Sequence, residues 1–172
     1  MAQLNSRGTL TRGRWDFFER TNGVAFVYGS VASGTIGAYF ANNSLGGTAI
    51  DIYAVEASSS TPGGWDTYIL LPPIAGASVT PVENIVSCIK PDEAAPAGFC
   101  GMFSSLTSPT RHITKVFSSY DSTLLNPIAA EPFYTLPPLW GIAVVTTGGA
   151  SAISLAMTVW YQEVLDNIAP AK

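Results

Sequence analysis

From Ile153 to Tyr161 the chain reads Ile-Ser-Leu-Ala-Met-Thr-Val-Trp-Tyr, an unbroken alternation with Ile153, Leu155, Met157, Val159 and Tyr161 on one side. Successive side chains of a β-strand point to opposite faces, so this pattern predicts a strand with one heavily apolar face. Ser154, Ala156, Thr158 and Trp160 fall on the other face. Just upstream, Leu139 to Thr146 is a second apolar run, and Thr147-Gly148-Gly149-Ala150 between them supplies residues suited to a tight turn. The two runs are expected to form a closing hairpin.

Similar units recur along the chain. Strands are predicted near Val24 to Val31, Thr35 to Ala41, Thr48 to Glu56, Thr67 to Leu71, Val82 to Lys90, Phe99 to Ser105, His112 to Phe117, Leu139 to Thr146 and Ile153 to Val164. The links carry Asn42-Asn43-Ser44, Ser58 to Gly64, Pro72-Pro73, Pro91 to Gly98 and Asn126-Pro127. Ser118 to Pro138 is the one long connection, as a Greek-key crossing or a surface loop requires. No amphipathic helix, fixed-period repeat or interdomain linker is visible. The expected fold is all-β: a single jelly-roll-like β-sandwich of about eight or nine antiparallel strands, residues 21–172, behind an extended N-terminal arm, residues 1–20.

With 172 residues, one domain can bury a core without metal or disulfide staples. Charged residues are only 12% of the chain, about half the usual share. A surface so weakly charged tends to associate. The net charge of −4 is unevenly spread, because the first 20 residues hold four Arg against Asp16 and Glu19 and the rest is acidic. The arm has no apolar period before Trp15 and cannot fold by itself, so its order must come from a partner. Arg7, Arg12, Arg14 and Trp15 are its candidate assembly contacts. Four Arg without a sustained basic tract predict no direct nucleic-acid binding. Residues 132–162 hold no charge, but Pro137-Pro138, the polar turn and the strict alternation oppose a transmembrane helix. The N-terminal charges interrupt any secretory signal, and no membrane partner is expected.

Groups that do chemistry are scarce. His112 is the single histidine, which excludes metal sites needing two imidazoles, and Cys88 and Cys100 stand apart rather than as Cys-x-x-Cys. No phosphate-binding or dinucleotide-binding glycine motif and no nucleophile elbow is present. His112 with either Cys could pair as base and nucleophile, but packed or solvated roles suit these residues better. Cys88 and Cys100 could bridge if their strands pair, although a reducing cytoplasm favours free thiols. Asp51 with Glu56 and Asp92-Glu93 read as strand-edge and loop charges rather than a glycosidase pair. Neither a catalytic residue, a cofactor nor a metal is expected, and the chain is not expected to be an enzyme.

Aromatic residues offer the remaining candidates. Trp160 faces away from the apolar stripe and could anchor an interface, whereas Trp140 suits the core. Trp65, in Thr-Pro-Gly-Gly-Trp-Asp, could stack on a sugar with Asp66 beside it. Asn42-Asn43-Ser44 matches the N-glycosylation pattern by chance in a chain without a secretory signal.

The basic arm, the charge-poor Ser/Thr/Ala/Gly-rich body and the final Leu139 to Val164 segment resemble virion proteins of tailed bacteriophages. Thr48 to Glu56, followed by the Ser58 to Gly64 loop, is similar to strand pairs of phage decoration and tail-associated sandwiches. The resemblance implies a non-enzymatic virion structural protein, a head decoration or tail-associated component made in the host cytoplasm and present in many copies. Its partners would be copies of itself and other virion proteins. The alternative is a sugar-binding β-sandwich of an adsorption apparatus or a secreted lectin, with Trp65 and Asp66 as ligand contacts.

Overall fold

The computed structural model describes residues 23–45, 48–60, 63–88, 98–107, 110–118, 123–125, 132, 134–146 and 151–165; for 63–65, 87–88, 110–118, 123–125 and 165 it describes the backbone alone. The arm, with Arg7, Arg12, Arg14 and Trp15, lies outside the described residues. Every described element is a strand: β1 (Gly23–Val31), β2 (Gly37–Asn42), β3 (Thr48–Ser59), β4 (Gly63–Leu70), β5 (Gly76–Val79), β6 (Glu83–Cys88), β7 (Gly98–Leu106), β8 (Thr110–Ser118), β9 (Thr123–Leu125), β10 (Tyr134–Leu136), β11 (Gly141–Thr146) and β12 (Ile153–Leu165). They form two antiparallel sheets, β10-β3-β12-β1-β6 with β9 also on β3, and β5-β7-β2-β11-β4-β8.

The pairing is nested. With β5–β7 and the short β9 set aside, eight strands remain: the first pairs with the last, β1 with β12; the second with the seventh, β2 with β11; the third with the sixth, β3 with β10; the fourth with the fifth, β4 with β8. This is a long antiparallel hairpin wrapped into two layers, the jelly-roll topology. The segment β5–β7 is an insertion between its fourth and fifth strands. Its β6 extends the first sheet beside β1, its β7 extends the second beside β2, and Asn84 of β6 donates its side-chain amide to the Cys100 carbonyl of β7 at 2.9 Å.

This topology corrects the expected closing hairpin. β11 and β12 follow each other in sequence but lie in different sheets and do not pair. Two apolar runs joined by a Gly-rich link look the same locally whether the link is a hairpin or an arch; only the partners of β1 and β2 decide. Among the described residues there are twelve strands, where eight or nine were expected. The exposed Gly-Ala-Ser-Val of β5 and the three-residue β9 and β10 are too short or too polar to show a period. Within the expected Greek-key crossing, β9 and β10 lie along one edge of β3 as a broken strand, which limits edge-to-edge pairing. Of the expected Ser58 to Gly64 loop, Ser58 and Ser59 belong to β3 and Gly63 and Gly64 to β4.

The core lies between the layers. Ala25, Val27, Ile50, Ile52, Val55, Leu155, Met157, Val159 and Tyr161 from the first sheet meet Ala38, Phe40, Ile69, Met102, Ile142 and Val144 from the second, with Ile36 just ahead of β2. Tyr161 and Phe40 pack ring to ring at 4.9 Å between centroids. The β12 alternation is as expected, with its five apolar positions all buried. β3 changes phase midway: Trp160 pairs with Ala54 and Tyr161 with Ile52, so Tyr53 is the extra residue of a bulge. The bulge lets Ile50 and Ile52 on one side, and Val55 and Ala57 on the other, all face the core.

Candidate functional site

The outer face of the second sheet is apolar. On a solvated sheet the outward positions are normally polar. Here Leu70, Phe103 and Ala143 are buried on the outside of the sandwich, with Tyr39, Tyr68, Ile74, Leu106 and Val145 packed around them. Tyr39 stands between Phe99, at 6.0 Å, and Phe103, at 6.1 Å, so three aromatic rings run across β2 and β7. Glycine makes this possible. A Cβ at Gly101 would meet the Tyr39 ring and one at Gly37 the Phe103 ring, so both rings lie across bare backbone.

At one end of this face is a groove of about 480 Å³, lined by Tyr39, Ala41, Asn42, Asn43, Pro72, Pro73, Ile74, Phe99 and Leu139. No ionisable carboxylate or amine is among those residues. A second hollow of about 270 Å³ lies on the other side of Phe99, with Ser78, Thr80 and Asn84 in its wall. Phe99 is 47% exposed and Leu139 43% exposed, and Leu45, three residues beyond the groove residue Asn42, is 94% exposed.

Two features build the groove wall. Asn42 is buried at the end of β2 and donates its side-chain amide to the carbonyls of Thr48 (2.8 Å) and Leu136 (3.1 Å), while its Oδ1 accepts from the Ser44 N–H (3.0 Å). It therefore ties the β2–β3 link to the end of β10, and the glycosylation-like tripeptide has a structural use that occupies its Asn. Beside it, Trp140 N–H donates to the Pro137 carbonyl (3.1 Å), closing a turn with Pro138 and Leu139 at the centre. Leu139 has φ 68°. That is the type II geometry, which favours Pro at the first central position and Gly at the second. The Leu139 N–H is held by the Asn42 carbonyl at 2.8 Å. A leucine at positive φ costs about 1 kcal/mol or more, and this one then exposes its side chain. Leu139→Gly is expected to raise stability by about 0.5–1 kcal/mol, or roughly 2 °C in Tm, in thermal unfolding. An unchanged or lower Tm would show that the side chain repays the strain within its own subunit.

The outer face of the first sheet is mixed, with apolar side chains among polar ones. Cross-strand register aligns Ile85, Phe26, Thr158 and Glu56 in one row and Ser87, Val24, Trp160 and Ala54 in the next. Ile85 is 54% exposed. Trp160 lies on this outer face as expected and is half-buried, covering Tyr53 and Ala54. The Tyr53 hydroxyl donates to Gln162 Oε1 at 3.0 Å. Part of the Trp160 surface is thus already used within the chain.

The other candidates are placed apart. Trp65 and Asp66 occupy successive positions of β4, pairing with Thr146 and Val145 of β11, rather than a loop; successive strand positions belong to opposite faces. The side chain of Trp65 lies outside the described residues. Burial, and with it the Asp66 carboxylate that Tyr68 hydrogen-bonds, raise the Tyr68 phenol above its ordinary value. Burial pushes the free Cys100 thiol up to about 12, so it stays protonated and unsuited to act as a nucleophile. His112 is in β8 opposite Tyr68 and Cys88 in β6 opposite Gly23, with only their backbones described. Asp51 and Glu56 lie on β3 either side of the Tyr53 bulge, and Asp51 accepts from the Thr135 hydroxyl of β10. Trp140 packs against the core, as expected. Among the described residues no three His, Cys, Asp or Glu gather as a metal site, and no helix is long and apolar enough to cross a membrane.

Sequence reasoning missed Tyr39, Phe99 and Leu139. The first two sat inside predicted strands with nothing to mark their faces as outer. The strand expected from Leu139 begins instead at Gly141, after the turn that Pro137-Pro138-Leu139-Trp140 forms. No protein-family model matches the chain, and no curated protein matches it significantly.

Proposed function

We propose that this protein is a non-enzymatic structural component of a virion, assembling in many copies, most specifically as a phage head decoration or tail-associated protein. The observation that carries this reading is a jelly roll with apolar and aromatic side chains on the outer faces of both sheets. An outer face of this kind has a free-energy reason to be covered, at about 25 cal/mol per Å² of apolar area removed from water. A stiff two-layer block with two such faces suits a repeating assembly, in which each copy meets several others. Viral capsid proteins and lectins both use the jelly roll, so the fold is an analogy and the outer faces are the argument.

The test is to make one outer face polar without touching the core. Phe26→Thr with Ile85→Thr puts β-branched strand formers at both positions while removing the two apolar side chains of their row in the first sheet. Sedimentation velocity is expected to show the doubly substituted chain at lower mass than the unaltered chain at equal concentration, with urea midpoints close to each other. Equal masses would remove this face from the assembly.

A further inference from the structure

We propose that two copies of this chain meet across a two-fold axis, the Leu45 side chain of each entering the groove formed by Tyr39, Ile74, Phe99 and Leu139 of the other. The inference rests on the assembly reading above and names one of its contacts. Leu45 is 94% exposed, so it fills no hollow of its own subunit. Nor is it carried on a loose link: the Asn42 amide donates to the Thr48 carbonyl beyond Leu45, and the Asn42 Oδ1 accepts from the Ser44 N–H just before it. A large apolar side chain on an anchored link loses little conformational freedom on docking. On the groove side, Leu139 is held at φ 68°, where a type II turn favours glycine, and its side chain lines the groove. Backbone strain of this kind gathers at sites of contact.

Position and charge select a second copy as the partner. Asn43 lines the groove and Leu45 follows two residues later, so knob and hollow are at most about 7 Å apart along the chain, at the same end of the sandwich. A two-fold axis beside them brings each knob to the other copy's hollow and closes on a pair, whereas a knob and hollow on opposite sides of the molecule would build an open chain. A surface that meets its own copy also meets its own charges. Neither the groove lining nor the run Asn42-Asn43-Ser44-Leu45-Gly46-Gly47 holds a charged residue, so the contact sets no like charges against each other. Stable interfaces bury about 800 Å² on each partner, more than one knob and one hollow provide. Tyr39 and Ile74 belong both to the groove and to the apolar outer face around Leu70, Phe103 and Ala143, so the contact has contiguous apolar surface to extend over.

Sedimentation of full-length variants, alone and mixed, tests this. Leu45→Ser removes the knob at a position so exposed that the urea midpoint should match that of the unaltered chain. Leu139→Gly, which should fold at least as well as the unaltered chain, and Phe99→Ser each impair the hollow. At a concentration where the unaltered chain assembles, each variant alone is expected to show at least a tenfold weaker apparent association. An equimolar mixture of Leu45→Ser with either groove variant should associate more tightly than either variant alone, because the intact knob of one meets the intact hollow of the other and restores one of the two contacts. Leu45→Ser, or both groove variants, assembling as tightly as the unaltered chain would overturn this contact and leave the assembly reading standing. Weakened variants whose mixture gains nothing would overturn it too, and would give the groove to another segment of the chain or to a different protein. An unaltered chain that stays monomeric would end both proposals.

Discussion

Val159→Asp is expected to abolish the folded state. Val159 is fully buried in β12, pairs with Ala25 of β1 and Val55 of β3, and lies in the core between the two sheets. A carboxylate there would be desolvated without a partner, a cost comparable to the whole stability of a domain, about 5–15 kcal/mol. Thr158→Asp, one residue away on the outer face and half-buried, should cost about 1 kcal/mol or less, part of it from facing Glu56 across the strand pair. Far-ultraviolet circular dichroism and urea unfolding distinguish the two. Equal tolerance of both would show that the register of β12 is wrong.

Asn42→Ala should produce the second largest loss. The Asn42 side chain makes three hydrogen bonds at the end of β2, and two of the groups left behind are the carbonyls of Thr48 and Leu136. Leaving buried polar groups without partners costs more than the bonds were worth in net terms, so a loss of about 2–4 kcal/mol is expected in urea unfolding. Asn42→Asp should be worse, because it replaces a donor with a charge aimed at two carbonyl oxygens. A loss below about 0.5 kcal/mol for Asn42→Ala would mean that water replaces the amide and that this end of the sandwich is open.

These two residues show what could be read from the sequence. The face of Val159 follows from alternation over nine residues, as does the outward position of Trp160, because a strand period is a local property. The role of Asn42 is not local: its partners are six and ninety-four residues away. The same limit explains the misplaced closing hairpin. β11 and β12 are each apolar and adjacent in sequence, but β2 and β1, more than 100 positions upstream, are their shared-sheet partners. The β3 bulge was hidden because Tyr53-Ala54 reads as ordinary strand, and only the change of phase between Ile52 and Val55 betrays it. The groove was least legible of all, since Tyr39, Ile74, Phe99 and Leu139 come from four separate parts of the chain with no shared spacing. What composition did convey was a low charge density, and the structure has apolar side chains at outward positions of both sheets.

The most direct test of the central claim is the mass of the full-length protein in solution, measured by light scattering across a concentration series at physiological salt. Self-assembly through the outer faces predicts a mass that rises with concentration to defined multiples of the 18.1 kDa chain. A constant 18.1 kDa species over the whole series would contradict it.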